Sequence, residues 1–349
     1  MHAPLPEQAR TPVEIDGSFG EGGGQVLRSA LALSLCTGRP LRIHSIRAGR
    51  SKPGLMRQHL TAVELATEVG DAEVSGAEVG SKEIRFTPRS PARAGCYRRA
   101  IGTAGSTTLV AQTVLPALLC ADAPSELVLS GGTHNPLAPP ADFLERSFLP
   151  ALRRLGADVD FELRRHGFHP AGGGEIVLRV RPSALRPAEW SRRGAVKAIR
   201  VCALVAGLAE HVGRREVDVV RDRLGLAADR VQVRSLPNGP GNALLVDVEC
   251  ESGTEVFCAF GRLGLPAERV GAEAVRAVKA HLRHDAPIGE HLADQLLLPL
   301  ALAGGGSFRT ARPSMHTTTN ARVIEAFLSI AVTMREDGDG TWRVDVAPR

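Results

Sequence analysis

Apolar and polar residues follow two rhythms that take turns along the chain. From Gly22 to Gly38, GGGQVLRSALALSLCTG has the spacing of a buried helix closed by glycine. Leu41 to Ala48, LRIHSIRA, alternates with period two and predicts a strand. A second helix is expected over Gly54–Gly70, then short strands near Ala72–Val79 and Lys82–Thr87. The same order returns with a helix over Gly105–Ala121, a strand over Ser125–Ser130 and a helix over Pro140–Gly156. Strands near Asp158–Arg164 and Gly174–Val180 close this second unit. A third copy starts at Gly289 with the helix GEHLADQLLLPLALAGGG and the strand SFRTAR. A helix near Asn320–Leu328 and strands over Ile330–Arg335 and Thr341–Val346 complete it. One further strand is expected to lead each copy: Val13–Asp16, Tyr97–Ile101 and Val196–Val205. Each unit then forms a sheet with one apolar face covered by two helices.

Residues 184–286 break the rhythm. They predict a helix over Arg214–Gly225, strands over Val231–Leu236, Ala243–Glu249 and Glu255–Phe260, and a long helix over Pro266–Arg283. LPNGPGN, Leu236 to Asn242, is a turn cluster. The expected fold is α/β (α+β), with three βαβαββ repeats forming a large domain and a smaller α/β domain inserted into the third. The large domain takes residues 13–183 and 287–349, the insert takes 184–286, and residues 1–12 form a polar, proline-broken tail.

Composition narrows the partners. A chain of 349 residues with 43% hydrophobic and 23% charged residues can bury a core and is not a disordered composition. Aromatics make up only 4%, too few for a platform that stacks a long single strand. The net charge of +5 permits a phosphate-rich partner without requiring one. No run of about 18 apolar residues predicts a membrane span. Six scattered cysteines with no C-x-x-C pair fit a reducing, cytoplasmic compartment better than disulfides or structural zinc.

The 37 glycines cluster in loops that open helices. GSFGEGGGQ, Gly17 to Gln25, fits a tight turn or an anion site at a helix N-terminus, where unpaired N–H groups and the helix dipole favour negative charge. It lacks the Gly-Lys-Ser/Thr of a Walker A loop. Glu21 inside it would repel phosphate unless a cation lies between, so Mg²⁺ and a plain capping or solvated glutamate both remain open. IRAGRSKPGLMRQHL, Ile46 to Leu60, gathers Arg47, Arg50, Lys52, Arg57 and His59 around a Pro-Gly turn, with Arg28 one turn into the first helix. Guanidinium forks match phosphate oxygens, and a solvated basic face is the plain alternative. His166 with His169, and His281 with His284, lack the neighbouring carboxylate or thiol that a metal site would need. EHLADQ places His291, Asp294 and Gln295 on one helix face, suited to a ligand or to capping. RPSMHTTTN holds His316 among hydroxyls, where a structural histidine is the ordinary reading.

Taken together, GEGGGQVLRSALALS, RAGRSKPGLMRQHLTA, GTAGSTTLVAQTVLPAL, GGTHNPLAPPADF, HGFHPAGGGE, EHLADQLLLPLALA and RPSMHTTTN resemble the signature blocks of the RNA 3′-terminal phosphate cyclase family, in order, from about Val13 to the C-terminus. The resemblance implies the same three repeats plus insert. It also implies ATP-dependent conversion of an RNA 3′-phosphate end to a 2′,3′-cyclic phosphate, through a histidine–AMP and an RNA(3′)pp(5′)A intermediate. Carried over by motif, His316 is the nucleophile and Glu21 binds Mg²⁺ (or Mn²⁺). Gln112, Pro139, His291, Asp294 and Gln295 contact ATP, while Arg28, Arg47, Arg50, Gln58 and His59 line the pocket for the RNA end. The partners implied are ATP and RNA with a 3′-phosphate, with a homodimer left open. Two positions depart from the common pattern: His291 stands where the family often has tyrosine, and Met315 is not the usual neighbour of the nucleophile. Non-catalytic cyclase-like proteins lack the histidine, and an enolpyruvyl transferase built from similar units would not need RPSMHTTTN.

Overall fold

The computed structural model describes residues 11–237 and 239–349, so most of the expected N-terminal tail lies outside the described residues. The chain begins with β1 (Val13–Asp16), α1 (Gly24–Thr37), β2 (Leu41–His44), α2 (Arg57–Val69), β3 (Glu73–Ser75) and β4 (Ile84–Thr87). These strands form one sheet in the order β1-β2-β4-β3, with β1 and β2 parallel and the other pairs antiparallel. α1 is buried nearly all round, from Val26 to Leu35, as an apolar helix at the centre of a protein must be. Gly38 ends it in the left-handed region at φ 69°. β2 stops at His44 rather than running to Ala48, because Ser45 and Arg47 take positive φ and turn the chain.

Next come β5 (Cys96–Ala100), α3 (Thr107–Leu119), β6 (Ser125–Gly131), α4 (Ala141–Phe143), a π-helical turn (Leu144–Phe148), α5 (Leu149–Arg154), β7 (Asp158–Arg165) and β8 (Gly174–Arg181). Ser106 caps α3 by accepting from the Leu109 N–H. The single helix expected over Pro140–Gly156 is therefore interrupted by a π turn. This sheet runs β5-β6-β8-β7, with the same sequence of one parallel and two antiparallel pairs.

β9 (Ala188–Trp190) is followed by β10 (Val196–Ala206), α6 (Glu210–Leu224), β11 (Val231–Leu236), β12 (Gly241–Cys250), β13 (Thr254–Phe260) and α7 (Ala267–Leu282). The chain closes with α8 (Glu290–Leu302), β14 (Gly306–Thr310), α9 (Met315–Phe327), β15 (Ile330–Glu336) and β16 (Trp342–Pro348). Here one sequence expectation is corrected. The strand at Val196–Val205 does not lead the third sheet; it pairs with β11 and β12 in the sheet β11-β10-β12-β13. Ala188–Trp190 takes its place beside β14, in the order β9-β14-β16-β15. A three-residue strand is too short to show a hydrophobic pattern, whereas β10 is an 11-residue strand whose second half is a continuous apolar run.

The helices pack on one another between the sheets: α1 against α3 and α9, α2 against α3, and α8 against α9. One core runs through these contacts. A second core lies between α6, α7 and one face of the β10–β13 sheet, which contributes Val201, Ala203, Val205, Leu244, Val246 and Val248. The alternate residues Leu204, Ala206, Ala243 and Leu245 join the first core, so this sheet is covered on both faces.

Candidate active site

The N-termini of α1, α8 and α9 converge on a cavity of about 400 Å³. Gln25, Arg28, Gln112, Pro139, His291, Asp294, Gln295 and His316 all line it, so residues spread over 292 positions of sequence meet there. Its inner wall is apolar, with Phe143 and Phe148 on one side and Val256, Cys258 and Phe260 of β13 on another. Those three lie two residues apart and so share one face of the strand.

His316 sits in the first turn of α9, which begins at Met315, earlier than the expected Asn320. The Ser314 hydroxyl accepts from the Thr317 N–H and starts the helix before a run of threonines, whose low helix propensity suggests a loop. The imidazole is half-exposed, and its Nδ1 lies 2.8 Å from Gln25 Oε1 and 3.9 Å from Glu21 Oε2. Burial lowers its pKa, assisted by Arg28 and other nearby groups, which favours the neutral ring.

Glu21 is held from several sides. Its N–H donates to Thr319 Oγ1 at 3.0 Å, and its carboxylate pairs with Arg50, which also donates to the Glu21 carbonyl at 3.1 Å. Gly20 takes φ +61°, and a Cβ there would lie 2.2 Å from Thr319 Oγ1, so the loop needs glycine on both counts. Glu21 Oε2 is buried without a hydrogen-bond partner.

Asp294 on α8 accepts from Gln25 Nε2 at 3.2 Å, while its Oδ1 is buried and unpartnered. Burial pushes its carboxyl up to about 7 despite the opposing Arg28. Arg28 is itself lowered to about 10 by burial, and it stays charged. The Gln112 amide donates to Gln295 Oε1, and Gln295 Nε2 donates to the His291 carbonyl at 3.0 Å. Asn320 Nδ2 ties α9 to α8 by donating to the Asp294 carbonyl at 2.7 Å.

The basic segment divides. His59 Nδ1 accepts from the Met56 N–H at 3.0 Å, and burial followed by Arg28 and Arg47 drops its pKa to about 3. A neutral ring accepting at Nδ1 carries its proton on Nε2. That nitrogen points at the start of α1, where a Cβ on Gly24 would come within 2.3 Å of it and 2.8 Å of Arg28 Nη1. Arg47 turns onto its own loop, donating to the Lys52 and Gly54 carbonyls at 2.6 and 2.9 Å. Gln58 Oε1 accepts from the Ser106 N–H at 2.6 Å. Arg47 and Gln58 are thus held by backbone, and like Glu21, Arg50 and His59 they lie outside the lining of the cavity. His166 stacks on His134 at 5.2 Å, and His281 meets His284 edge-on at 6.0 Å.

Sequence reasoning did not single out Gln25, Asn320 or the β13 wall. Gln25 carried a signal, as a polar side chain between a glycine run and an apolar helix. The other two carried none, because nothing local says which element they will face.

Comparison with known proteins covers the same ground. A family model described as RNA 3′-terminal phosphate cyclase matches residues 19–334. Proteins named RNA 3′-terminal phosphate cyclase are similar to this chain over most of both lengths. The one from Pseudomonas fluorescens is 54% identical over 325 residues, 93% of this chain and 94% of that protein. The one from Ralstonia nicotianae is 51% identical over 331 residues, 94% and 95% of the two chains. The one from Koribacter versatilis is 48% identical over 328 residues, 93% and 92% of the two chains. The match runs through every segment that builds the cavity, and the chain belongs to the RNA 3′-terminal phosphate cyclase family.

Proposed function

We propose that the protein is an RNA 3′-terminal phosphate cyclase that uses ATP to convert a 3′-phosphate end to a 2′,3′-cyclic phosphodiester, with His316 as its nucleophile. The observation that carries this reading is a neutral, accessible imidazole at the wall of a nucleotide-sized cavity, beside Arg28 and Glu21. Neutral His316 attacks the α-phosphorus of ATP, and the bond to the β-phosphate breaks with release of pyrophosphate. The RNA 3′-phosphate then displaces the histidine, taking AMP and forming a 3′-pp-5′-adenosine end. The vicinal 2′-OH attacks the 3′-phosphorus and AMP departs. Only RNA carries that hydroxyl.

In this reading Gln112, Pro139, His291, Asp294 and Gln295 hold the nucleotide. Arg28 and Arg50 stabilise charge on the phosphates. His59 adds a neutral donor through its Nε2–H. Arg47 and Gln58 fix the loop and helix end that present Arg50 and His59. The unpartnered buried Oε2 of Glu21 fits one ligand of Mg²⁺ or Mn²⁺. Among the described residues no group of three or more His, Cys, Asp or Glu could hold a metal alone, which suits an ion that takes the rest of its ligands from phosphates and water. When bound, such an ion supplies charge neutralisation between Glu21 and the phosphates.

We further infer that the three like-ordered sheets are copies of one βαβαββ unit. Their common strand order supports this. The insert then begins after Trp190, since β9 pairs within the third sheet. No helix among the described residues is long and apolar enough to cross a membrane. All six cysteines are free thiols, which supports a reducing compartment such as the cytoplasm.

The test uses Mg²⁺ and ATP labelled at the α-phosphate, without RNA. Wild-type protein should become labelled through an acid-labile, alkali-stable bond, and His316→Ala should not. An unlabelled wild type, or equal labelling of the variant, overturns the reading.

A further inference from the structure

Gln25 sends the two ends of its amide to two different partners. Nε2 donates to Asp294 Oδ2 at 3.2 Å, and Oε1 lies 2.8 Å from His316 Nδ1. The NH₂ end only donates, and Asp294 Oδ2 accepts from it whether the carboxyl is ionised or carries its proton on Oδ1. The carbonyl end is left facing the imidazole. A carbonyl oxygen also only accepts, so a neutral His316 that bonds to it must carry its proton on Nδ1. Its lone pair is then on Nε2, the nitrogen that Gln25 does not cover. The three side chains come from three helices: Gln25 from α1, Asp294 from α8 and His316 from α9. Asp294 is fixed in turn by its position on α8 and by the Asn320 amide that ties its carbonyl to α9.

We propose that Gln25, oriented by Asp294, is a positioning residue that holds His316 in the Nδ1–H tautomer and presents Nε2 to the α-phosphorus of ATP. This rests on His316 being the nucleophile. The balance is simple. The Nε2 lone pair forms the N–P bond, and the P–O bond to the β-phosphate breaks, its electron pair leaving with pyrophosphate. Nδ1 keeps its proton throughout, so no base is needed. The ring becomes cationic in the phosphoramidate, and the Gln25 carbonyl dipole faces that charge. When the RNA phosphate displaces the histidine, the electron pair returns to Nε2. A neutral amide suits this task because it selects a tautomer without drawing a second proton onto the ring, as a hydrogen-bonded carboxylate would. The other acceptor facing Nδ1, Glu21 Oε2 at 3.9 Å, lies beyond hydrogen-bond reach.

The test is made on the full chain carrying ¹⁵N-labelled histidine, with the His316 signals assigned by their loss in His316→Ala. Long-range ¹H–¹⁵N spectra of the ATP-free wild type should show a protonated Nδ1 and an unprotonated Nε2. Gln25→Leu keeps the bulk and removes the acceptor. It should populate the Nε2–H tautomer and slow single-turnover labelling from ATP by on the order of 10–100-fold, with a much smaller change in KM for ATP. A wild type that holds the proton on Nε2 overturns the proposal, and this measurement needs no variant to fold. So does a Gln25→Leu protein that labels at the wild-type rate while His316→Ala stays unlabelled. If the wild type itself does not label, or His316→Ala does, it is the nucleophile assignment that falls.

Discussion

A single methyl group tests how closely the side chains at the start of α1 are packed. Gly24→Ala would place Cβ 2.3 Å from His59 Nε2 and 2.8 Å from Arg28 Nη1, and His59 is buried with its other nitrogen already bonded. Alanine is at least as good as glycine in a helix, so folding should hold. Cyclisation of a 3′-phosphorylated oligoribonucleotide should fall by roughly tenfold or more, as expected when catalytic groups are displaced by about 1 Å. An unchanged single-turnover rate with an unchanged melting temperature would show that both side chains can retreat harmlessly. At this scale much of the site was legible, because Glu21, Arg28, His59, Asp294 and His316 stand out as polar residues in glycine-rich or apolar settings. What stayed hidden was the partner of each. Arg47 looks identical to Arg50 in a basic run, yet one guanidinium turns onto its own loop and the other reaches Glu21. That choice is made by the positive φ of Arg47, a property of the folded turn.

Among the elements, helices with strong periodicity were legible to within a few residues, while those set by a single cap or a short pairing were not. α9 begins where Ser314 caps it, and β9 exists only because β14 lies beside it. The start of α8 depends on a contact of the same kind. Glu255 of β13 accepts from the Gly289 N–H at 2.7 Å, and burial pushes its carboxyl up to about 8. A carboxyl raised in the folded state stabilises the protein below its unfolded pKa, near 4.5, and loses that contribution as pH rises through about 8. Glu255→Gln keeps an acceptor for Gly289 and removes the titration. Its denaturation midpoint should therefore exceed that of the wild type by a margin that grows between about pH 5 and pH 9. A margin independent of pH would mean that Glu255 is ionised in the fold. The helix at stake carries His291, Asp294 and Gln295, so β13 supports that end of the cavity from behind.

In the whole molecule, the π turn over Leu144–Phe148 joins the large body to the β10–β13 sheet. Arg146 pairs with Asp142 of its own helix and with Asp247 of β12, Ser147 accepts from the Val256 N–H at 3.0 Å, and Phe148 faces the cavity. Three consecutive residues thus serve one junction. Both carboxylates are buried, and Asp142 keeps His134 as a partner while Asp247 has no other ion pair among the described residues, so Arg146→Ala should cost about 3 kcal/mol by leaving Asp247 uncompensated. Denaturant unfolding would measure this, and a loss under about 1 kcal/mol would show the pair to be screened as surface ion pairs are. The mixed α/β alternation of the chain was visible in the sequence. The junction was not, because a π turn has no periodic signature of its own and its partners lie about 100 residues away. Among the described residues the longest such reaches join the start of α1 to α9: Glu21 to Thr319, 298 residues apart, and Gln25 to His316, 291 apart. During synthesis the two arrive near opposite ends of translation. On the proposed role of His316, a nascent chain that already holds the first sheet and its glycine loop would capture no AMP until α9 has folded against α1, so its first capture of AMP would mark that docking.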